Sequence, residues 1–312
     1  VKTGEIDRRA KPQGALFSDW TAADGWRLRV MDWPAEGDVP SRGSLLFLGG
    51  RGDFIEKYLE AMDYWRRTGW RVAAFDWRGQ GGSEGERGAP DPQAGFDPLI
   101  DDLAAFVREW REGSPGPHVV IAHSMGGHLL LRALAEKAVK ADAVVLVAPM
   151  VGINSGPVPA SIAPRLARLL VALGRGGAPV VSDYQARIAG KDARRNRLTS
   201  CPDRYADELW WQKREPAYDL GIPTWNWVVA AYRSIARLTA GALASIQVPM
   251  LILAAEKDGL VSTSAIRKAA VQIRGAELIV YPDAAHEILR ESDRVRLDAF
   301  ARIDVFFDRQ TG

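Results

Sequence analysis

Val119-Val120-Ile121-Ala122-His123-Ser124-Met125-Gly126-Gly127-His128-Leu129-Leu130-Leu131 holds the change of pattern that decides the fold. Its β-branched start needs burial on both faces, as a strand inside a parallel sheet does, and the apolar residues after Ser124 recur at helical spacing. A strand, a sharp turn and a helix are expected. A serine at such a turn is lifted out of the sheet on strained backbone, and strand and helix then pass so close that small neighbours are required. Ala122, Gly126 and Gly127 supply them. The amide of Met125 would open the helix, where an unpaired N–H and the helix dipole can hold a developing negative oxygen. Ser124 is the candidate nucleophile; helix capping is the bland alternative.

A literal pattern search points elsewhere. Gly81-Gly82-Ser83-Glu84-Gly85 is the only strict G-x-S-x-G, yet it sits among Arg78, Gln80, Glu86 and Arg87 with no strand entering and no helix leaving. Ser83 reads as a loop residue, because the motif acts only in its strand–turn–helix context.

Length and composition set the class. The 312 residues, 47% hydrophobic and 26% charged, suit one large α/β domain with an insertion or two small domains. A lone cysteine, Cys201, excludes an internal disulfide framework and fits a reducing, cytoplasmic setting. No apolar run approaches the roughly 18 residues of a membrane span, and Lys2, Glu5, Asp7, Arg8, Arg9 and Lys11 leave no apolar core for a signal peptide. Net charge is +2, but residues 151–240 hold 13 Lys and Arg against 7 Asp and Glu. That basic stretch reads either as a contact to anionic lipid at a membrane surface or as a solvated helical face.

Strands are expected at 26–33, 44–48, 71–77, 143–148, 250–255 and 277–281, with helices between most of them. Such alternation calls for a parallel sheet covered by helices on both faces, with catalytic loops at the carboxyl ends of the strands. After the strand at 44–48, Gly49-Gly50-Arg51-Gly52-Asp53 offers exposed amides to a ligand. A phosphate cradle is disfavoured because the Lys and Ser/Thr of a P-loop are missing. The Arg51 amide is therefore the candidate second oxyanion donor, beside Met125. From Val151 to about Gly241 the alternation fails: prolines divide the segment, one amphipathic helix carries Ile162, Leu166, Leu169, Leu170 and Leu173, and Trp210, Trp211, Trp225 and Trp227 cluster. The expected organisation is a core at 1–150 and 242–312 with a cap, or lid, at 151–241.

A serine hydroxyl needs a base, and the base needs an orienting acid. Of four histidines, His118 lies at the wrong end of its strand, His123 should face away from its neighbour Ser124, and His128 should project from the site. His286, in a loop past the last strand, remains. Asp258 follows a buried strand and precedes His286, completing the chain order Ser, Asp, His; Glu256 and Asp283 are the competing carboxylates. No pair of histidines at ligand spacing beside carboxylates supports a metal hydrolase, no cofactor is implied, and no binding module supports a nucleic-acid role.

Leu46 to Tyr58, Phe75 to Gly85, Ala122 to Gly127, Pro249 to Asp258 and Ala285-His286-Glu287 together resemble the α/β-hydrolase superfamily, and within it the monoacylglycerol lipases and bacterial lysophospholipases. The resemblance implies an α/β fold with a mostly parallel central sheet and a helical cap, a Ser124, Asp258, His286 triad, an oxyanion hole from the Arg51 and Met125 amides, and a single-chain lipid ester as substrate. Two positions depart from the family pattern: Gly49-Gly50 stands where a His-Gly pair is common, and Ala122 replaces the usual elbow glycine. A carboxylesterase, lactonase or thioesterase, or a non-catalytic binding protein on this fold, are the other readings.

Overall fold

Side chains alternate between two buried faces along every central strand. In the computed structural model, which describes residues 6–37, 39–88, 93–181 and 191–312, β3 (Gly43–Leu48), β5 (His118–His123), β6 (Ala143–Val147) and β7 (Met250–Ala255) are buried from end to end. Lys2 and Glu5 of the polar opening lie outside those residues. Leu46, Val120, Leu146 and Ile252 enter one core; Leu45, Val119, Val145 and Leu251 enter the other. This is the period of two of a sheet covered on both sides. One face is covered by α2 (Asp97–Gly113) and α3 (Ser124–Ala135), the other by α1 (Leu59–Arg67) and the C-terminal helix Asp293–Thr311.

Among the described residues the eight strands run in the order β1-β2-β4-β3-β5-β6-β7-β8, where β4 is Trp70–Phe75 and β8 is Glu277–Tyr281. Pairing is parallel except at β2 (Arg27–Trp33), which is antiparallel to both β1 (Leu16–Thr21) and β4. The chain leaves β3 toward β4 and returns to β5 on β3's other side. The order of winding therefore reverses between β3 and β5, and the crevice at their carboxyl ends is where such sheets bind ligands.

The strand β1 is absent from the sequence reading. It is an edge strand with mostly exposed side chains, so it shows no apolar alternation; its place is set by backbone pairing to β2 from Leu16↔Asp32 to Thr21↔Arg27. Between β6 and β7 the chain forms α4 (Ala163–Leu170) and the helices Lys191–Leu198, Pro202–Arg214, Trp225–Ile235 and Ala240–Ala244. Trp227, Ala230, Ala231 and Leu243 of this segment join the main core, and Trp211 packs with Phe54 and Tyr218. Part of its basic charge is paired: Arg194 with Glu208, Arg204 with Glu60 and Asp293, and Arg237 with Asp97 and Glu136. The apolar stripe of α4 faces outward, with Ile162, Leu166, Leu169 and Leu173 exposed.

Candidate active site

Local backbone sets the site before any side chain does. At the end of β5, Ser124 has φ 50°, a left-handed conformation costly for any residue with a Cβ. It is held there from both sides: the Met150 amide donates to the Ser124 carbonyl at 3.0 Å, and α3 begins at once. A Cβ on Gly126 would stand 2.4 Å from the Gly49 carbonyl oxygen, so the first turn of α3 can lie against the end of β3 only because that residue is glycine. Gly50 is forced in the same way, since its Cβ would be 2.8 Å from Ser124 Cβ. Ala122, in place of the expected elbow glycine, is fully buried, and its methyl is accommodated.

Ser124 Oγ lies 2.8 Å from His286 Nε2, and His286 Nδ1 lies 2.7 Å from Asp258 Oδ2. The remaining Asp258 oxygen, Oδ1, accepts from the amides of Leu260 and Val261 at 2.8 and 2.9 Å. Burial opposes ionisation of Asp258, but His286 and these two amides outweigh it and hold the carboxyl below its ordinary range. For His286 burial again favours the neutral form, and the Asp258 charge reverses the balance and raises its pKa above 6.5. The competing carboxylates are engaged elsewhere: Glu256 pairs with Arg267, and Asp283 with Lys257 and Arg294. The His286 loop is gripped by the segment between β6 and β7, because the His286 and Glu287 amides donate to the carbonyls of Arg197 and Leu198 at 3.3 and 2.7 Å.

The loop after β3 is almost fully engaged. The Gly50 amide donates to Asp53 Oδ2 at 2.6 Å, the Gly52 amide to Gln80 Oε1 at 2.6 Å, and the Trp77 indole N–H donates to the Gly49 carbonyl at 2.7 Å. Among the described residues the amides of Arg51 and Met125 have no protein acceptor. Two free donors therefore belong to the site, one in the first turn of α3 and one in the loop directly after Gly50, and a tetrahedral oxyanion needs such a pair.

The other sequence candidates take structural places. His118 bonds to Ser114, and His128 Nε2 to Ser234 Oγ at 2.7 Å; burial and the Arg132 charge depress the His128 pKa to about 3. Ser83 is a turn residue whose hydroxyl donates to the Asp76 carbonyl and accepts from the Arg29 amide. Cys201 is free. His123 is closer to the site than alternation alone suggests. It does point to the α1 face, yet its ring centroid is 4.8 Å from that of His286, and its Nδ1 donates to Asp53 Oδ2 at 2.7 Å.

Sequence reading misses one group of residues altogether. Lys57, whose side chain is 4% exposed, places Nζ 2.8 Å from Asp53, 2.6 Å from Glu287 and 3.2 Å from Glu208. One ammonium thus joins the glycine loop, the residue after His286 and the helix Pro202–Arg214. Burial alone would favour the neutral forms of Lys57, Asp53 and Glu208; the opposite charges around them keep Lys57 raised, Asp53 well below its ordinary value and Glu208 down to about 2. The available signal was Asp53 and Lys57 four apart at the start of a segment otherwise apolar on its inner face.

Beside Met125 lies a cavity of about 430 Å³ lined on its apolar side by Phe96, Leu99, Leu220 and Trp227. Among the described residues no group of three His, Cys, Asp or Glu side chains could hold a metal, and no helix is long and apolar enough to cross a membrane.

Comparison with known proteins agrees with this geometry. The profile of the family described as serine aminopeptidase, S33, matches residues 39–293. Lysophospholipase L2 of Escherichia coli K12 is 30% identical, the alignment covering 95% of this chain and 92% of that protein. A probable lysophospholipase L2 of Haemophilus influenzae is 29% identical over 86% of this chain and 85% of its own. In three dimensions a soluble variant of the Saccharomyces cerevisiae monoglyceride lipase superposes with a TM-score of 0.70 at 18% identity, covering 98% and 99% of the two chains.

Proposed function

The chain belongs to the serine aminopeptidase S33 family and is a serine ester hydrolase of the α/β-hydrolase fold; from that premise we propose that it cleaves the carboxylic ester of a single-chain lipid, a lysophospholipid or a monoacylglycerol, through an acyl-enzyme on Ser124. The observation that carries the proposal is the unbroken hydrogen-bonded path from Asp258 through His286 to Ser124 Oγ. His286 Nε2 takes the hydroxyl proton as Oγ attacks the carbonyl, and Asp258 holds the imidazole by Nδ1 and stabilises its charged form. The amides of Arg51 and Met125 donate to the oxyanion, and His286 returns the proton to the departing glyceryl oxygen. Water then attacks the acyl-enzyme with His286 again as base, releasing the fatty acid and the serine.

Two observations support a lipid. The relatives named above are lysophospholipases. The cavity beside Met125 is of the size of a small-molecule site and has an apolar side that suits an alkyl chain. The cap reading of residues 151–241 gives the chain its meeting point with a lipid surface. On α4 and the turn after it, Ile162, Leu166, Leu169 and Leu173 are exposed beside Arg165, Arg168 and Arg175, none of which has a carboxylate within 4 Å among the described residues. An exposed apolar stripe with unneutralised arginines is the pattern of an interfacial helix on anionic lipid.

The test is fatty-acid release, read by mass spectrometry, from lysophospholipids, monoacylglycerols and diacyl lipids, with fluorophosphonate labelling of Ser124. Wild-type protein should release acid from the single-chain esters and take the label. Substantial release by Ser124→Ala in a clean preparation would falsify the assignment.

A further inference from the structure

The loop that offers its amide at Arg51 also carries a part-buried cation that pairs with no carboxylate among the described residues. The Arg51 side chain turns toward the segment between β6 and β7: its Nη1 donates to the Gly221 carbonyl at 2.9 Å, and its guanidinium carbon stands 5.3 Å from the centre of the Trp227 ring. Its Nε is buried and has no acceptor, and among the described residues no carboxylate lies within 4 Å. A guanidinium has five N–H donors in a planar fork suited to carboxylate or phosphate, and one carbonyl uses a single donor. Most other part-buried arginines here have acidic partners, as Arg29, Arg78, Arg204 and Arg290 do. Burial pulls the Arg51 pKa down to about 10, with only Asp219 opposing it, so the group remains charged at neutral pH with no carboxylate in ion-pair contact among the described residues.

We propose that the Arg51 guanidinium recognises the phosphate of a lysophospholipid whose ester carbonyl lies on the Arg51 amide. The inference rests on the function proposed above and narrows it toward anionic substrates. Covalent geometry supplies the match. From the carbonyl carbon of a 1-acyl lysophospholipid to its phosphorus there are as many bonds as from the amide nitrogen of an arginine to its guanidinium carbon. One residue can therefore hold both ends of the glyceryl unit, the oxyanion by its backbone and the phosphate by its side chain, while the acyl chain occupies the cavity at Met125, Leu220 and Trp227. Trp227 borders both the cavity and the guanidinium, so the apolar and ionic recognition surfaces meet at one ring. A charge-assisted, two-pronged contact to phosphate in a site sheltered from water distinguishes substrates by about tenfold or more.

The experiment compares kcat/KM for 1-decanoyl lysophosphatidic acid and 1-decanoyl glycerol, both as monomers, in wild type, Arg51→Met and Arg51→Lys. Fluorophosphonate labelling of Ser124 verifies that each variant is folded. Arg51→Met should lower the ratio of the anionic to the neutral substrate about tenfold or more, beyond any loss shared by both, and Arg51→Lys should recover part of it. Decyl phosphate, which has no carboxylic ester, should compete with substrate in wild type and do so about tenfold more weakly in Arg51→Met. An unchanged ratio in Arg51→Met, with both substrates still cleaved, overturns the role of Arg51 and leaves the hydrolase intact. Wild type that takes the label but cleaves neither lipid overturns the proposed function itself.

Discussion

Gly50→Ala is the sharpest test of how the site is built. The added Cβ would stand 2.8 Å from Ser124 Cβ, 3.0 Å from Asp53 Oδ2 and 3.1 Å from His123 Nδ1. None of the three can yield cheaply: Ser124 is pinned on strained backbone, Asp53 is locked to His123 and to Lys57, and His123 is held by Asp53 and Tyr58. Relief must come from the glycine loop, which has to withdraw by roughly 0.7 Å to reach ordinary carbon contact at about 3.5 Å. That movement carries the Arg51 amide away from the oxyanion position and stretches the Gly50 to Asp53 bond. Losing or misplacing one oxyanion donor costs about 10²–10³-fold in kcat. Because that contact is made mainly in the transition state, KM should change little. Overpacking should also cost about 1–3 kcal/mol of stability. Steady-state kinetics on a short-chain ester, with urea unfolding and fluorophosphonate labelling, separates these effects. Gly52→Ala is the comparison: its φ of 75° is unfavourable, but the nearest atom to its Cβ is 3.8 Å away. It should cost stability of about 1–2 kcal/mol and much less in kcat. Wild-type kcat in Gly50→Ala would refute the close fit between loop and nucleophile.

Other outcomes follow from the same structure. The base works only when neutral, and its pKa is raised by Asp258, so kcat/KM should fall on the acid side with a midpoint above 6.5. In Asp258→Asn that midpoint should move down and kcat should drop by about 10⁴, as measured by pH-rate profiles. The stability that His286 draws from this pair is full below its ordinary pKa and is lost as pH rises through the raised one. Lys57→Met removes the one cation that Asp53, Glu208 and Glu287 share and should cost about 3 kcal/mol in urea unfolding, with Lys57→Arg milder. Glu208, ordinarily near 4.5 and here down to about 2, stabilises the fold above its ordinary value. That contribution is lost as pH falls toward 2, so wild type but not Glu208→Gln should show its share of acid unfolding there. Leu166→Asp with Leu169→Asp should reduce sedimentation with vesicles containing anionic lipid while release from monomeric ester persists; unchanged sedimentation would remove α4 from the lipid contact.

Much of the scaffold is legible in sequence because its signals are local. The central strands show as unbroken β-branched runs, and the turn at Ser124 shows as a small residue between a buried strand and a helix. Asp258 and His286 stand directly past strand ends, where a parallel sheet collects its loops. Edge strand β1 escapes notice because its mix of exposed apolar and polar residues, Leu16 to Thr21, carries no clean period. The outward stripe on α4 has the spacing of a buried face, and spacing alone does not say which side meets water.

Order along the chain, residue type and pattern were thus enough to specify a parallel α/β sheet, to single out Ser124, and to rank His286 and Asp258 above their rivals. What the tertiary structure alone decided is how charges from distant elements meet: Lys57 between Asp53, Glu287 and Glu208, and Arg51 turned toward Trp227 with no carboxylate within 4 Å among the described residues. Hydrophobic periodicity is written over neighbouring residues, whereas an electrostatic pair depends on distance through space and on the burial that removes water from between its members.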